Sequence, residues 1–172
     1  MRLEKYFIPA FTLIELMIVM IMIGIVFTIS MSSLKGVKSR TQFKDAVVTT
    51  VDFIQGARSR ALSSLEINGQ VATSYYVQFS GANNNELNFY ARLGNGQDLL
   101  LDQQILNADI QIIKNPVELD KIVYTAPLGE LTFEFSSVVS ASEIILTVQS
   151  LNSPSVQKIA LSQVARIPEL VK

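Results

Sequence analysis

The sequence predicts an α+β protein in which one long N-terminal helix packs on an antiparallel β-sheet. The first half of that helix is apolar all round and reads as a transmembrane segment; the second half is amphipathic. Three observations predict this. "FTLIELMIVMIMIGIVFTI", Phe11 to Ile29, holds nineteen residues with Glu15 as its only charge. No proline interrupts the chain between Pro9 and Pro116, so nothing breaks a helix that continues past the apolar run. After Gln70 the pattern changes to short alternating runs separated by Gly, Asn, Pro and Ser clusters, which is the mark of antiparallel strands.

The apolar run has the length of a single bilayer-spanning helix, about 20 residues. Its helical continuation is "LKGVKSRTQFKDAVVTTVDFIQGARSRALSSL", Leu34 to Leu65. There Phe43, Val47, Val51, Ile54, Ala61 and Leu65 recur at spacings of three and four, with Asp45, Asp52, Ser59 and Ser63 opposite. That is an amphipathic helix with one face for a sheet. One helix from about Phe11 to Leu65 is expected, roughly 80 Å long at 1.5 Å per residue, stopped by Asn68-Gly69 in "EINGQ". Arg58 falls in the middle of the apolar stripe. Either its stem covers the core and its guanidinium reaches solvent, or the guanidinium is buried and paired with a strand carboxylate or loop carbonyls.

In "VATSYYVQF" Val71, Thr73, Tyr75, Val77 and Phe79 alternate with smaller or polar neighbours. "SGANNN" is a turn. "ELNFYARL" alternates again, "GNGQ" is a second turn, and "ILNADIQIIK" suggests a further strand stopped by "NPVE". "IVYTA", "LTFEFS", "EIILTVQ" and "VQKIALS" read as four more. One helix followed by six or seven strands places the helix on one face of the sheet, and the polar partners along each strand leave the other face wet.

Composition narrows the function. Fourteen basic and 15 acidic residues give a net charge of −1, which does not argue for nucleic acid or a charged surface as the main partner. The charge is uneven: Lys35, Lys38, Arg40, Lys44, Arg58 and Arg60 face only Asp45 and Asp52 between them. There is no cysteine and no histidine. Disulfides, thiolate nucleophiles, the commonest general base and the usual metal ligands are therefore missing, and the sequence points away from an enzyme and from any cofactor. "NGQDLLLDQQILNAD" carries Asp98, Asp102 and Asp109, but a calcium loop needs tighter acidic spacing and a closing glutamate. "GVKSR" and "GNGQD" lack the strand–glycine–helix context of phosphate loops.

A glutamate inside an apolar helix is costly, about 2.5–3.5 kcal/mol at the centre of a bilayer on insertion scales, and such groups persist mainly when paired or functional. The stretch around it, "AFTLIELMIVMIMIGIV", resembles the processing and methylation motif of type IV prepilins and type II secretion pseudopilins. The resemblance implies a cytoplasmic leader over residues 1–10, cleaved by a prepilin peptidase between Ala10 and Phe11, with methylation of the new Phe11 amine. It implies a transmembrane and filament-core helix over 11–31 and a pilin-like globular domain over 32–172. Glu15 would pair with the N-terminal amine of a neighbouring subunit inside the filament. Gly24 falls where the family has a glycine. Two positions depart: Ala10 stands where the family has glycine, and Ser32 and Ser33 stand where many members have a proline.

"FIQGARSRALSSLEINGQVATSYYVQF", with "IVYTAPLGELTFEF" and "VQKIALSQVARI", resembles the GspH/FimT group of minor pilins and pseudopilins. The implied partners are other pilin or pseudopilin subunits, the prepilin peptidase and an inner-membrane assembly platform. The implied location is the bacterial inner membrane, with the domain outside the cytoplasm, and then the pilus or pseudopilus. Two other readings stand beside this one. One is a membrane-anchored binding domain that never polymerises. The other is a DNA-capturing competence pilin, for which Lys158, Arg166 and Lys172 are the cations offered; phosphate contact draws on several.

Overall fold

A computed structural model describes residues 12–64, 66, 67, 69–137, 140–165 and 167–171, with side chains of 30–35 set aside. Helix α1 is Leu13–Ser63, and among the described residues ten strands follow it. The chain divides into two compact units, residues 1–38 and 39–172.

In the first unit the helix opens on Thr12. Fourteen large apolar side chains between Leu13 and Ile29 are exposed, from Val19 at 45% to Leu13 at 78%. The expected transmembrane half of the helix is corrected here. Among the described residues no helix is long and apolar enough to cross a membrane. The apolar stretch with described side chains is about 17 residues, or about 25 Å at 1.5 Å per residue, against a hydrocarbon core of about 30 Å. The α+β class holds in its broad form, as a mostly antiparallel β-domain with helical structure. Phe11 and the 30–31 end of the expected span lie outside the residues whose side chains are described.

In the second unit, Ala46, Val47, Thr50, Ile54, Ala57 and Ala61 of the helix are buried. They follow the three-and-four spacing of a single core-facing stripe. Three of the six are alanines, which let the helix backbone approach the sheet closely. Thr50 satisfies its buried hydroxyl by donating to the Ala46 carbonyl at 2.8 Å. Of the expected core residues, Phe43 and Val51 pack against the core only in part, and Leu65 lies outside the described residues.

The helix stops earlier than the sequence suggests. Ser64, at φ 45°, ends it in a left-handed turn. "EINGQ" is not only a stop: β1 (Glu66–Ile67) pairs antiparallel with the start of β2 (Gln70–Ser80), Ile67 opposite Gln70. Gly69 sits at φ 76°, as an Asn-Gly hairpin requires.

One sheet was expected; the strands form two. β3 (Glu86–Leu93), β4 (Asp98–Ile105), β6 (Leu119–Thr125) and β7 (Glu130–Phe135) join β1 and β2 in a six-stranded sheet of order β4-β3-β2-β6-β7, with β1 on β2. β5 (Ile110–Asn115), β8 (Glu143–Ser150), β9 (Val156–Ser162) and β10 (Glu169–Val171) form a four-stranded sheet of order β10-β9-β8-β5. Every pairing is antiparallel. Ile110, Ile112, Ile144, Leu146, Val148, Ile159 and Leu161 from the smaller sheet share one hydrophobic core with the helix stripe and with Tyr75, Val77, Phe79, Leu87, Phe89, Ile122 and Tyr124 of the larger.

The alternation read in β2 is broken once. The β2–β3 register shifts between Ala72 and Ser74. Val71 and Thr73 therefore face out while Ala72 is buried, and Tyr75, Val77 and Phe79 point inward as expected. The "SGANNN" turn also acts as a tie between the sheets. Asn84 donates through Nδ2 to the Ile112 carbonyl of β5 at 3.1 Å, while Asn85 donates through Nδ2 to the Leu106 carbonyl in the β4–β5 link at 3.4 Å. The Ile112 amide in turn donates to the Asn83 carbonyl at 3.0 Å.

Candidate functional site: an exposed apolar helix and a charged aromatic strap

Thr12 and Glu15 form a reciprocal capping box at the start of α1. Glu15 Oε2 accepts from the Thr12 amide and from Thr12 Oγ1, each at 3.1 Å, and the Glu15 amide donates to Thr12 Oγ1 at 3.3 Å. The threonine–x–x–glutamate spacing of this box is legible in the sequence. One carboxylate oxygen is held by Thr12, and the carboxylate suits a helix N-terminus on electrostatic grounds. A helix apolar on all sides has no stable exposure to water. Residues 13–29 are thus a surface in need of apolar neighbours, with one oriented carboxylate at its N-terminal end. Farther along, a Cβ added at Gly24 would meet nothing within 4 Å. Thr28 donates to the Gly24 carbonyl at 2.8 Å. Ala10 and Phe11, the expected processing site, lie outside the described residues.

The second feature was not foreseen. On the outer face of the larger sheet, one or two side chains from each of five neighbouring strands meet around Tyr76. Tyr76 of β2 is only 3% exposed and stacks on Tyr90 of β3 with centroids 5.0 Å apart and planes at 17°. The Arg92 guanidinium of β3 lies 5.4 Å from its ring centroid and Lys121 Nζ of β6 lies 4.8 Å away, both within cation–π range. Arg92 bonds Asp98 of β4 through both ends of its fork, Nε–Oδ1 at 2.9 Å and Nη2–Oδ2 at 3.2 Å. Glu134 of β7 closes the strap, 3.4 Å from Arg92 Nη1 and 3.7 Å from Lys121 Nζ.

The electrostatics follow from these contacts. The Arg92 fork beside Asp98 holds that carboxyl below the usual carboxylate range. The Asp98 hydrogen bond keeps Arg92 firmly protonated. Burial, reinforced by a hydrogen bond to Asp98, pushes the Tyr76 phenol well up. Two cations offset two carboxylates, so the strap is neutral and internally matched. It ties five strands together over a face that alternation alone would leave open. Its members run from Tyr76 to Glu134, and although Tyr90, Arg92 and Asp98 are close in sequence, Arg92 and Glu134 are 42 residues apart.

Arg58 resolves into neither of the two alternatives. It is half-buried, and its Nε is buried with no hydrogen-bond partner. Among the described residues it makes no ion pair. It lies close to the β6–β7 turn, where a Cβ on Gly129 would come within 3.8 Å of Arg58 Cγ. Its positive charge is felt by buried Tyr124, whose phenol is pushed up to about 12 by burial and drawn back in part by Arg58.

Asp98, Asp102 and Asp109 do not converge. Asp98 pairs with Arg92, while Asp102 and Asp109 are exposed, and no group of three metal-ligating side chains occurs among the described residues. Of the cations weighed for DNA contact, Lys158 is exposed on β9; Arg166 and Lys172 lie outside the described residues.

Fold and surfaces together define an α+β domain that carries an exposed apolar helix. Compared with protein-family models, curated proteins and solved structures, the chain finds no match.

Proposed function

We propose that this chain is a structural subunit, of the minor kind, of a type IV pilus or type II secretion pseudopilus. A prepilin peptidase cuts between Ala10 and Phe11 and methylates Phe11. The subunit resides at the bacterial inner membrane until an assembly platform passes it into the filament, where its apolar helix is covered by helices of other pilin or pseudopilin subunits. The observation that carries the reading is the apolar surface of residues 13–29, exposed on every side, joined to one oriented carboxylate, Glu15. Burying each large apolar side chain contributes about 1.5–3 kcal/mol, so fourteen of them supply a strong drive to associate.

Glu15→Gln tests the role of the carboxylate. Glutamine serves in a capping box but carries no charge. Co-expressed with wild-type partners, the variant should be cleaved and should then be missing from sheared filaments while present in membranes. Incorporation equal to wild type would remove the pairing role.

A further inference from the structure

Beside the helix, Asp52, Phe53, Gly56 and Arg60 of α1 meet Phe89 of β3 and Asp102 of β4 around an open pocket of about 100 Å³. Its floor is aromatic: Phe53 and Phe89 contact edge to face at 6.4 Å, with the Arg60 guanidinium 4.9 Å from the Phe89 centroid. Gly56 leaves the helix side open, since a Cβ there would meet nothing within 4 Å. Asp52 and Asp102 are exposed and make no ion pair among the described residues.

Asp102 also belongs to the edge of the larger sheet. Among the described residues β4 pairs only with β3, and its register is interrupted where Tyr90 faces Leu100 but Phe89 faces Asp102, so that Leu101 has no ladder partner. Past this bulge, Asp102–Ile105 is exposed at all four residues. The Leu106 amide turns toward the β3 side, donating to the Asn85 carbonyl at 2.8 Å. Alternation then points the Gln103 and Ile105 amides to the open side. The Gln103 amide is occupied, at 2.8 Å, by Oδ1 of Asp102 itself. A side chain thus guards the free edge, a common way to blunt an edge strand.

We propose that Asp102–Ile105 is an acceptor edge for an extended segment of a partner protein that carries a basic side chain. The segment adds as a strand, and its cation enters the pocket between Asp52 and Asp102. Charge favours this occupant: the pocket holds two carboxylates against one cation, Arg60, which lies over the Phe89 ring, and among the described residues neither Asp52 nor Asp102 makes an ion pair. The cation draws the Asp102 carboxylate off the Gln103 amide, which is then free to join the ladder. Edge hydrogen bonds supply affinity and the pocket supplies side-chain choice, the usual division in strand addition. The inference does not depend on filament assembly.

The test uses the full chain in a mild non-ionic detergent and three blocked peptides, acetyl-Thr-Val-Lys-Val-Thr-amide and its norleucine and glutamate analogues. The lysine peptide should protect the Gln103 and Ile105 amides from hydrogen exchange and bind about tenfold more tightly than either analogue. Gly56→Leu, which favours the helix and fills the pocket, should abolish the preference for lysine. Asp102→Ala, which removes both the charge and the acceptor of the Gln103 amide, should remove that preference and speed Gln103 exchange in the free chain. Three results would overturn the proposal: no protection at millimolar lysine peptide, equal binding of the norleucine peptide, or lysine preference surviving Gly56→Leu. Protection of the same amides by self-association without peptide would assign the edge to a second copy instead.

Discussion

Thr12 and Glu15 cap the same helix end reciprocally, Glu15 Oε2 accepting both the Thr12 amide and hydroxyl at 3.1 Å. This gives Glu15 a second task besides pairing between subunits, and the two separate by mutation. Thr12→Ala keeps the charge and removes the cap, at a cost of about 1 kcal/mol to the helix start. It should still enter filaments, whereas Glu15→Gln should not. The reverse pattern in sheared fractions would make Glu15 a capping residue alone.

Acid and alkali should act on different parts of the second unit. Asp98 has a depressed folded-state pKa, caused first by its Arg92 hydrogen bond. Its stabilising contribution is therefore present above the unfolded value near 3.8 and is lost as pH falls through the lower folded value. Tyr124 is raised to about 12 by burial, so its contribution is full below pH 10 and is lost as pH rises from there through about 12. In denaturant titrations against pH, Asp98→Asn should flatten the acid limb below about pH 4. Tyr124→Phe should flatten the limb between about pH 10 and 12. Limbs unchanged by these variants would show that other groups control them.

Gly129 holds the β6–β7 turn at φ 61°, and a Cβ there would stand 2.9 Å from Leu62 Cδ2. Gly129→Ala should cost about 1–2 kcal/mol from the left-handed backbone alone. Leu62→Ala in the same background should relieve the contact but not the backbone term. A full rescue by Leu62→Ala would mean that the backbone is not strained by the substitution.

Arg58 buries an Nε that makes no hydrogen bond. Removing an unpartnered polar atom is not equivalent to breaking a buried pair, which costs about 3–5 kcal/mol. Arg58→Met keeps much of the stem and should leave stability within about 1 kcal/mol of wild type, or raise it. A loss of several kcal/mol on denaturant titration would reveal a partner for the guanidinium.

Local periodicity made much of the chain readable. The three-and-four spacing of Val47, Ile54 and Ala61 announced the helix face that is buried, and period-two runs announced β2, β3 and β5 to β9. The Asn-Gly in "EINGQ" was read as a stop alone because a helix end and a hairpin use the same residues. "DLLLDQQI" shows no period-two alternation to mark it as a strand. As β4 it is an edge strand with solvent on most of its length, so its side chains carry little of the alternation that burial imposes elsewhere.

By itself the sequence determined the α+β class, the N-terminal apolar segment with its single carboxylate, and the residue types available for chemistry. Each of these depends on neighbours within a few positions, where helix and strand geometry is set by local sterics and side-chain parity. Only the tertiary structure decided that the strands split into two sheets, that Asn83 and Asn84 tie them through Ile112, and that Tyr76, Arg92, Asp98, Lys121 and Glu134 meet on one face. Those outcomes depend on which distant strands pair and in what register. Pairing is decided by how the whole core closes around Tyr75, Ile122 and Leu146, and no window of sequence contains that information.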